Sequence, residues 1–139
     1  MIHLTKIQQL GREAIREMFS LATRLEKSPD DSLKGKIMAA LFFESSTRTR
    51  LSFSSAMLRL GGSVITMESG GTSSQAKGET LEDSIRVISN YADIIVMRHN
   101  ETGAAEKAAA VSTVPIINAG DGNMGQHPTQ ALLDLYTIQ

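Results

Sequence analysis

Residues 42–62 read FFESSTRTRLSFSSAMLRLGG. An apolar run closes at Phe42 and Phe43, and four hydroxyl residues and two arginines then fill the six positions from Ser45 to Arg50. After them Phe53, Met57 and Leu60 recur at helical spacing until Gly61 and Gly62, a helix stop signal. Strand, donor-rich turn, helix and stop follow one another within one short segment. The preceding residues complete the strand, because KIMAALFF, residues 36–43, is a nearly continuous apolar run bounded by polar turns. Such a run suits a strand buried on both faces.

The unit recurs downstream. SVITM reads as a second strand and TLEDSIRVISNYA as a helix with Leu81, Ile85, Ile88 and Tyr91 on its apolar face. DIIVMR is a third strand followed by the Ala-rich helix TGAAEKAAAV, and VPIINA a fourth followed by the loop GDGNMGQHP and the helix TQALLDLYTIQ. Upstream, Ile7, Leu10, Ala14, Met18, Leu21 and Leu25 step by three and four from just after Thr5, which predicts one amphipathic helix ended by SPDDSLKG. Four strands alternating with helices predict an α/β fold of three layers, a four-stranded parallel sheet with helices on both faces. In the last helix Leu132, Leu133, Leu135, Tyr136 and Ile138 remain apolar to the end. They are expected either to pack back on the sheet or to lead into a second domain.

The chain has 139 residues, enough for one α/β domain and few for two. A net charge of −1 gives no global electrostatic case for a nucleic-acid or membrane partner, so any anion site must be local. No cysteine occurs, which removes disulfides, thiol catalysis and cysteine-bound zinc and fits a reducing cytoplasm. Charges interrupt the N-terminal residues every few positions, unlike a signal peptide or membrane span, and a soluble intracellular protein is expected.

Ligands of open parallel sheets bind beyond the carboxyl ends of the strands. On that edge the sequence places Ser45 to Arg50 after the first strand, Ser73, Ser74 and Lys77 after the second, Arg98 and His99 at the third, and Asn118, His127 and Gln130 after the fourth. A helix starting near Thr47 would aim unpaired N–H groups and the positive end of its dipole at whatever lies in front, and Arg48 adds a planar fork suited to phosphate. One Ser before a helix is ordinarily an N-cap and nothing more. Several hydroxyls and an arginine, with three further polar loops on the same edge, favour an anion site instead. The Walker phosphate-loop spacing is missing from the chain. GDGNMG, Gly120 to Gly125, does match the dinucleotide pattern GxGxxG through Gly120, Gly122 and Gly125, but it follows the last strand rather than the first.

Ser46-Thr47-Arg48-Thr49-Arg50 followed by LSF, Arg98 within VMRH, and HPTQALLDLYT from His127 together form a specific signature. On these motifs the chain resembles the carbamoyl-phosphate-binding domain of the aspartate carbamoyltransferases and, less closely, that of the ornithine carbamoyltransferases. The loop SSQAKGE, Ser73 to Glu79, looks like the aspartate enzymes, and FFESS stands where the family more often has FFEPS or FFEAS. The resemblance spans essentially all of residues 1–139 but only about the first half of the family's catalytic chain, so an aspartate-binding second domain is expected to be absent here.

The resemblance implies carbamoyl transfer from carbamoyl phosphate to the α-amino group of L-aspartate, a step of pyrimidine biosynthesis, by a fragment inactive alone. It implies that Ser46, Thr47, Arg48 and Thr49 hold the phosphate, and that Arg98 reaches both phosphate and carbonyl oxygen. Thr49, Arg98 and His127 would polarise the carbonyl, with Gln130 orienting the carbamoyl nitrogen; Arg48, Thr49, Arg98 and His127 are the implied catalytic groups. Ser73 and Lys77 would enter from the neighbouring subunit of a homotrimer, with or without regulatory chains. No cofactor or metal is implied. His127 has a plain alternative as a helix-capping residue, Lys77 as a solvated loop lysine, and Arg50 is expected to pair structurally with Glu44 or Glu79. Two readings of other classes remain beside the enzyme: a dinucleotide-binding module and a non-catalytic assembly domain.

Overall fold

The computed structural model describes residues 1–68 and 78–138. Its helices and strands alternate as α1 (Arg12–Lys27), β1 (Ile37–Phe42), α2 (Thr47–Arg59), β2 (Ser63–Glu68), α3 (Leu81–Ile88), β3 (Ile94–His99), α4 (Ala104–Val111), β4 (Ile116–Asp121) and α5 (Pro128–Ile138). The four strands form one parallel sheet in the order β2-β1-β3-β4. The chain moves outward from β1 to β2 and then returns to the other side of β1 to lay down β3. That reversal makes the gap between β1 and β3 the topological switch point, where such sheets bind ligands.

Side-chain alternation along the strands sorts the core into two layers. Ala39, Leu41, Ile95, Met97 and Ile116 face α3 and α4, meeting Leu81, Ile85, Ala104, Ala105 and Ala108. Met38, Ala40, Phe42, Val96 and Ala119 face the other way, toward Met57 of α2. Arg98 shares the parity of Ile94 and Val96, so it leaves the sheet on the α2 side. Between Met97 and His99 the β3–β4 register shifts.

Local chemistry explains the helix ends. Gly61, at φ +82°, follows α2 and donates to Leu58 O, while Gly62 N donates to Met57 O, the paired bonds of a left-handed C-cap. A side chain at Gly62 would press into Met57. Thr80 caps α3 by accepting from Asp83 N at 3.1 Å. Pro128 opens α5 at the position where its missing N–H costs nothing.

Two expectations change, and for α5 the first of the two alternatives does not hold. The N-terminal helix does not begin after Thr5, because Gln9 Oε1 accepts from the backbone N–H groups of Thr5 and Lys6 and holds residues 7–9 in a short 3₁₀ turn. Leu4, just before it, joins the edge of the sheet beside β4 through Leu4 N to Ile116 O and Asn118 N to Leu4 O. Tyr91 is not part of α3's apolar face: the helix ends at Ile88, Asn90 binds the carbonyls of Arg86 and Val87, and Tyr91 is exposed. In α5, Leu133, Leu135 and Ile138 are exposed, and Tyr136 turns to α1 rather than to the sheet.

Candidate anion-binding site

Ser46 precedes α2 with extended φ of −155°, yet its side chain makes no capping hydrogen bond to the helix backbone. Its Oγ instead donates to Thr49 Oγ1 at 2.9 Å. The plain N-cap reading is therefore not what the structure contains. The first-turn N–H groups of α2 keep no side-chain cap, and the helix presents them and its dipole toward the switch point. Thr47 and Arg48 are exposed at that end, and Thr49 is half-buried.

From the far side of the switch point comes Arg98. Its Nη1 lies 3.4 Å from Ala119 O and 3.4 Å from His127 Nε2. Glu44, two residues past β1, approaches Arg98 Nε to 3.5 Å, a contact of opposite charges without hydrogen-bond geometry. A guanidinium only donates, so His127 Nε2 accepts and the imidazole proton is assigned to Nδ1. Arg98 Nε and His127 Nδ1 are both buried and lack hydrogen-bond partners. Two unsatisfied donors on adjoining side chains are costly, about 1–3 kcal/mol each, unless something supplies an acceptor.

Burial, reinforced by the neighbouring positive charge of Arg98, holds the His127 pKa below the ordinary imidazole value. The ring is neutral at pH 7. Gly120 makes the approach possible: at φ +117°, a Cβ there would sit 3.0 Å from His127 Cδ2 and 3.1 Å from Arg98 Nη1.

Arg48, Thr49, His127 and Gln130 line one cleft of about 540 Å³, whose other wall is the apolar Met18, Phe19, Phe53 and Tyr136. Gln130 donates from Nε2 to Asp134 Oδ1 at 2.9 Å. A carboxylate oxygen accepts, so Asp134 engages the amide NH₂ and leaves Gln130 Oε1 as the atom that can accept. Sequence reasoning gave Asp134 no such role. The spacing of four positions within one helix was the available signal.

The structure separates two other candidates from this group. Asn118 is buried at 1% exposure and spends its amide on Thr5 O, Asp121 and Gln126 O. His99 faces the opposite layer, accepts from Glu101 N at Nδ1 and lies against Phe43 at a centroid distance of 5.0 Å; burial lowers its pKa. Ser73 and Lys77 lie outside the described residues. Among the described residues no cluster of metal-ligating side chains occurs, and no helix is long and apolar enough to cross a membrane.

The GxGxxG match from Gly120 to Gly125 does not front a dinucleotide site. It follows the edge strand rather than the first strand, and Gly120 is taken up by the Arg98–His127 approach.

Donors gathered at the switch point of an open parallel sheet define an α/β domain built to bind a small anion. Comparison with known proteins narrows that class: residues 2–139 match the family described as aspartate/ornithine carbamoyltransferase, carbamoyl-P binding domain, and the chain belongs to that family. It is 59% identical to the chloroplastic aspartate carbamoyltransferase of Arabidopsis thaliana, covering 95% of this chain and 35% of that protein. The catalytic subunit of aspartate transcarbamoylase from Methanocaldococcus jannaschii superposes with a TM-score of 0.91 at 58% identity, over 99% of this chain and 46% of that one. The aspartate transcarbamoylase of Trypanosoma cruzi, solved with carbamoyl phosphate and aspartate, gives 0.91 at 45% identity over 98% of this chain and 46% of that one. The chain thus spans less than half the length of these relatives.

Proposed function

We propose that residues 1–139 supply the carbamoyl phosphate site of an aspartate carbamoyltransferase. The observation that carries this reading is the convergence of the uncapped α2 start, bearing Arg48 and Thr49, with the Arg98–His127 pair across the switch point. The names of the relatives, and the T. cruzi complex with both substrates, support aspartate as the acceptor. The aspartate site is assigned to the part of the relatives' length that these residues do not cover. Ser73 and Lys77 would complete the phosphate site from a neighbouring copy in a trimer, and a chain without cysteine suits a cytoplasmic enzyme.

The chemistry follows from the donors. Aspartate's amino nitrogen attacks the carbamoyl carbon, a C–N bond forms, and the C–O bond to phosphorus breaks with its electron pair going to phosphate. The nitrogen gives up a proton to the departing phosphate, leaving N-carbamoyl-L-aspartate. Negative charge grows first on the carbonyl oxygen and then on the departing phosphate. Ser46, Thr47, Arg48 and Thr49 meet the phosphate at the helix start, and Arg98 bridges it to the carbonyl oxygen. When Arg98 turns to the ligand, His127 Nε2 is released to carry the ring proton and donate to that oxygen with Thr49. Prepositioned donors of this kind act where charge develops, and no other device available to such a site accelerates the reaction as much. Gln130 Oε1, held by Asp134, accepts from the carbamoyl nitrogen.

Titration with carbamoyl phosphate or phosphonoacetate tests the proposal. Binding is expected to weaken with salt. Arg48→Ala is expected to cost about 1.5–3 kcal/mol of affinity, the scale of a hydrogen bond to a charged group. Equal affinity in the variant and the parent would overturn it.

A further inference from the structure

The loop from β4 to α5 is organised around one carboxylate. Asp121, 4% exposed, accepts at Oδ1 from Gln126 N at 2.7 Å and from Asn118 Nδ2 at 3.1 Å. Its Oδ2 accepts from Gly103 N, the residue before α4, at 2.9 Å. In return Asp121 N donates to Gln126 O at 3.2 Å, so the two residues close the loop from both ends. His127 is the next residue. The closure leaves no slack, because a Cβ at Gly125 would collide with Asp121 O and one at Gly122 with Thr102.

We propose that Asp121 is a positioning residue, whose carboxylate locks the Gly120–Gln126 loop and thereby sets where His127 stands against Arg98. The reason is the count of donors. Three N–H groups from three parts of the chain point at two carboxylate oxygens, and only a carboxylate accepts with both. An asparagine would turn an NH₂ toward Gly103 N–H or Gln126 N–H, donor against donor. The loop would open, and His127 would leave the place that Gly120 vacates for it. The consequence for ligand affinity rests on the carbamoyl phosphate reading above; the placement of His127 does not.

The test is Asp121→Asn in the 139-residue chain, compared with Thr80→Ala, which removes a remote helix cap. NMR of the His127 ring nitrogens reads position directly. In Asp121→Asn the His127 titration midpoint should rise toward the ordinary imidazole value as burial and the Arg98 charge recede, and phosphonoacetate should bind about tenfold or more weakly. In Thr80→Ala the midpoint should stay where the parent has it, although the melting temperature falls. An unchanged His127 midpoint in folded Asp121→Asn overturns the proposal. If that variant does not fold, Asp121→Ser decides by the same readout, since a single hydroxyl oxygen cannot accept from all three N–H groups and sets no NH₂ against them; a rise in the midpoint supports the role and no rise overturns it. A parent that binds no phosphonoacetate would sink the carbamoyl phosphate reading, with the His127 comparison still deciding the role of Asp121.

Discussion

The two faces of the sheet are built to different standards. On the α3–α4 face Ile85, Ile95, Ala104, Ala105, Ala108 and Ile116 have no exposed surface at all, and the alanines of α4 let its backbone settle close to β3 and β4. On the other face α1 buries none of its residues, and clefts remain open among the described residues. One, about 390 Å³, lies among Leu33, Met38, Phe53, Met57 and Val96, and another, about 540 Å³, carries Arg48 and His127. Both clefts touch Phe53 and Ala56. The chemistry sits on the less filled side. A closed layer fixes the strands and hence Arg98, while the open layer leaves room for a ligand beside it. Apolar walls around that room also lower the local dielectric and strengthen each contact to an anion.

The largest effect should come from the closed face. Ile85→Ala removes a fully buried side chain and is expected to cost about 2–5 kcal/mol in denaturant unfolding, the transfer loss plus the cavity. Leu21→Ala, on α1 and 48% exposed, should stay within about 0.5 kcal/mol. Equal losses would mean that the open face is covered in solution, and the contrast between faces would fail.

Amide hydrogen exchange sharpens the same contrast on the timescale of local opening. Amides of α3 and α4 should exchange only on global unfolding, whereas those of α1 should exchange at least about tenfold faster, because few buried contacts hold that helix. Matching protection in α1 and α4 would contradict this.

How much of this could be read from the sequence depends on the range of the interaction. The strands and the helices after them were legible because each is a local pattern: an apolar run, a helical period, and a stop such as Gly61-Gly62. The edge that carries the candidate site was legible too, since the strand-to-helix loops of a parallel sheet must share one side. What depends on distant partners was not. One local contact escaped as well, because Gln9 breaks the first helix by reaching its own neighbours' N–H groups, which periodicity does not register. Asn118 meets Thr5 across 113 positions and so looked like a site donor rather than a loop anchor. Of the two carboxylates expected for Arg50, Glu44 and Glu79, Glu44 approaches the charge of Arg98, brought beside it only when β3 lies against β1. Gly120 lay in a GxGxxG match already disfavoured by its place after the last strand, but that its missing side chain makes room for Arg98 and His127 was not visible in the sequence.

The smallest effect concerns how the open face keeps its outer wall. Tyr136 of α5 stacks edge-on with Phe19 at 5.2 Å, and its hydroxyl meets Thr23 Oγ1 at 2.9 Å, which also donates to Phe19 O. These contacts tie α1 to α5 across the cleft that holds Arg48 and His127. Tyr136→Phe keeps the ring pair and removes only the hydroxyl bond, so its cost should be about 0.5–1.5 kcal/mol. Thr23→Val also removes the bond to Phe19 O and should cost somewhat more, and the double variant should lose less than the sum, because the bond between the two hydroxyls can be lost only once. Full additivity would mean that the two hydroxyls do not meet in solution. In that event α1 is held by the Phe19 ring and its apolar neighbours, and the wall of the anion site is looser than the closed face by more than this one bond.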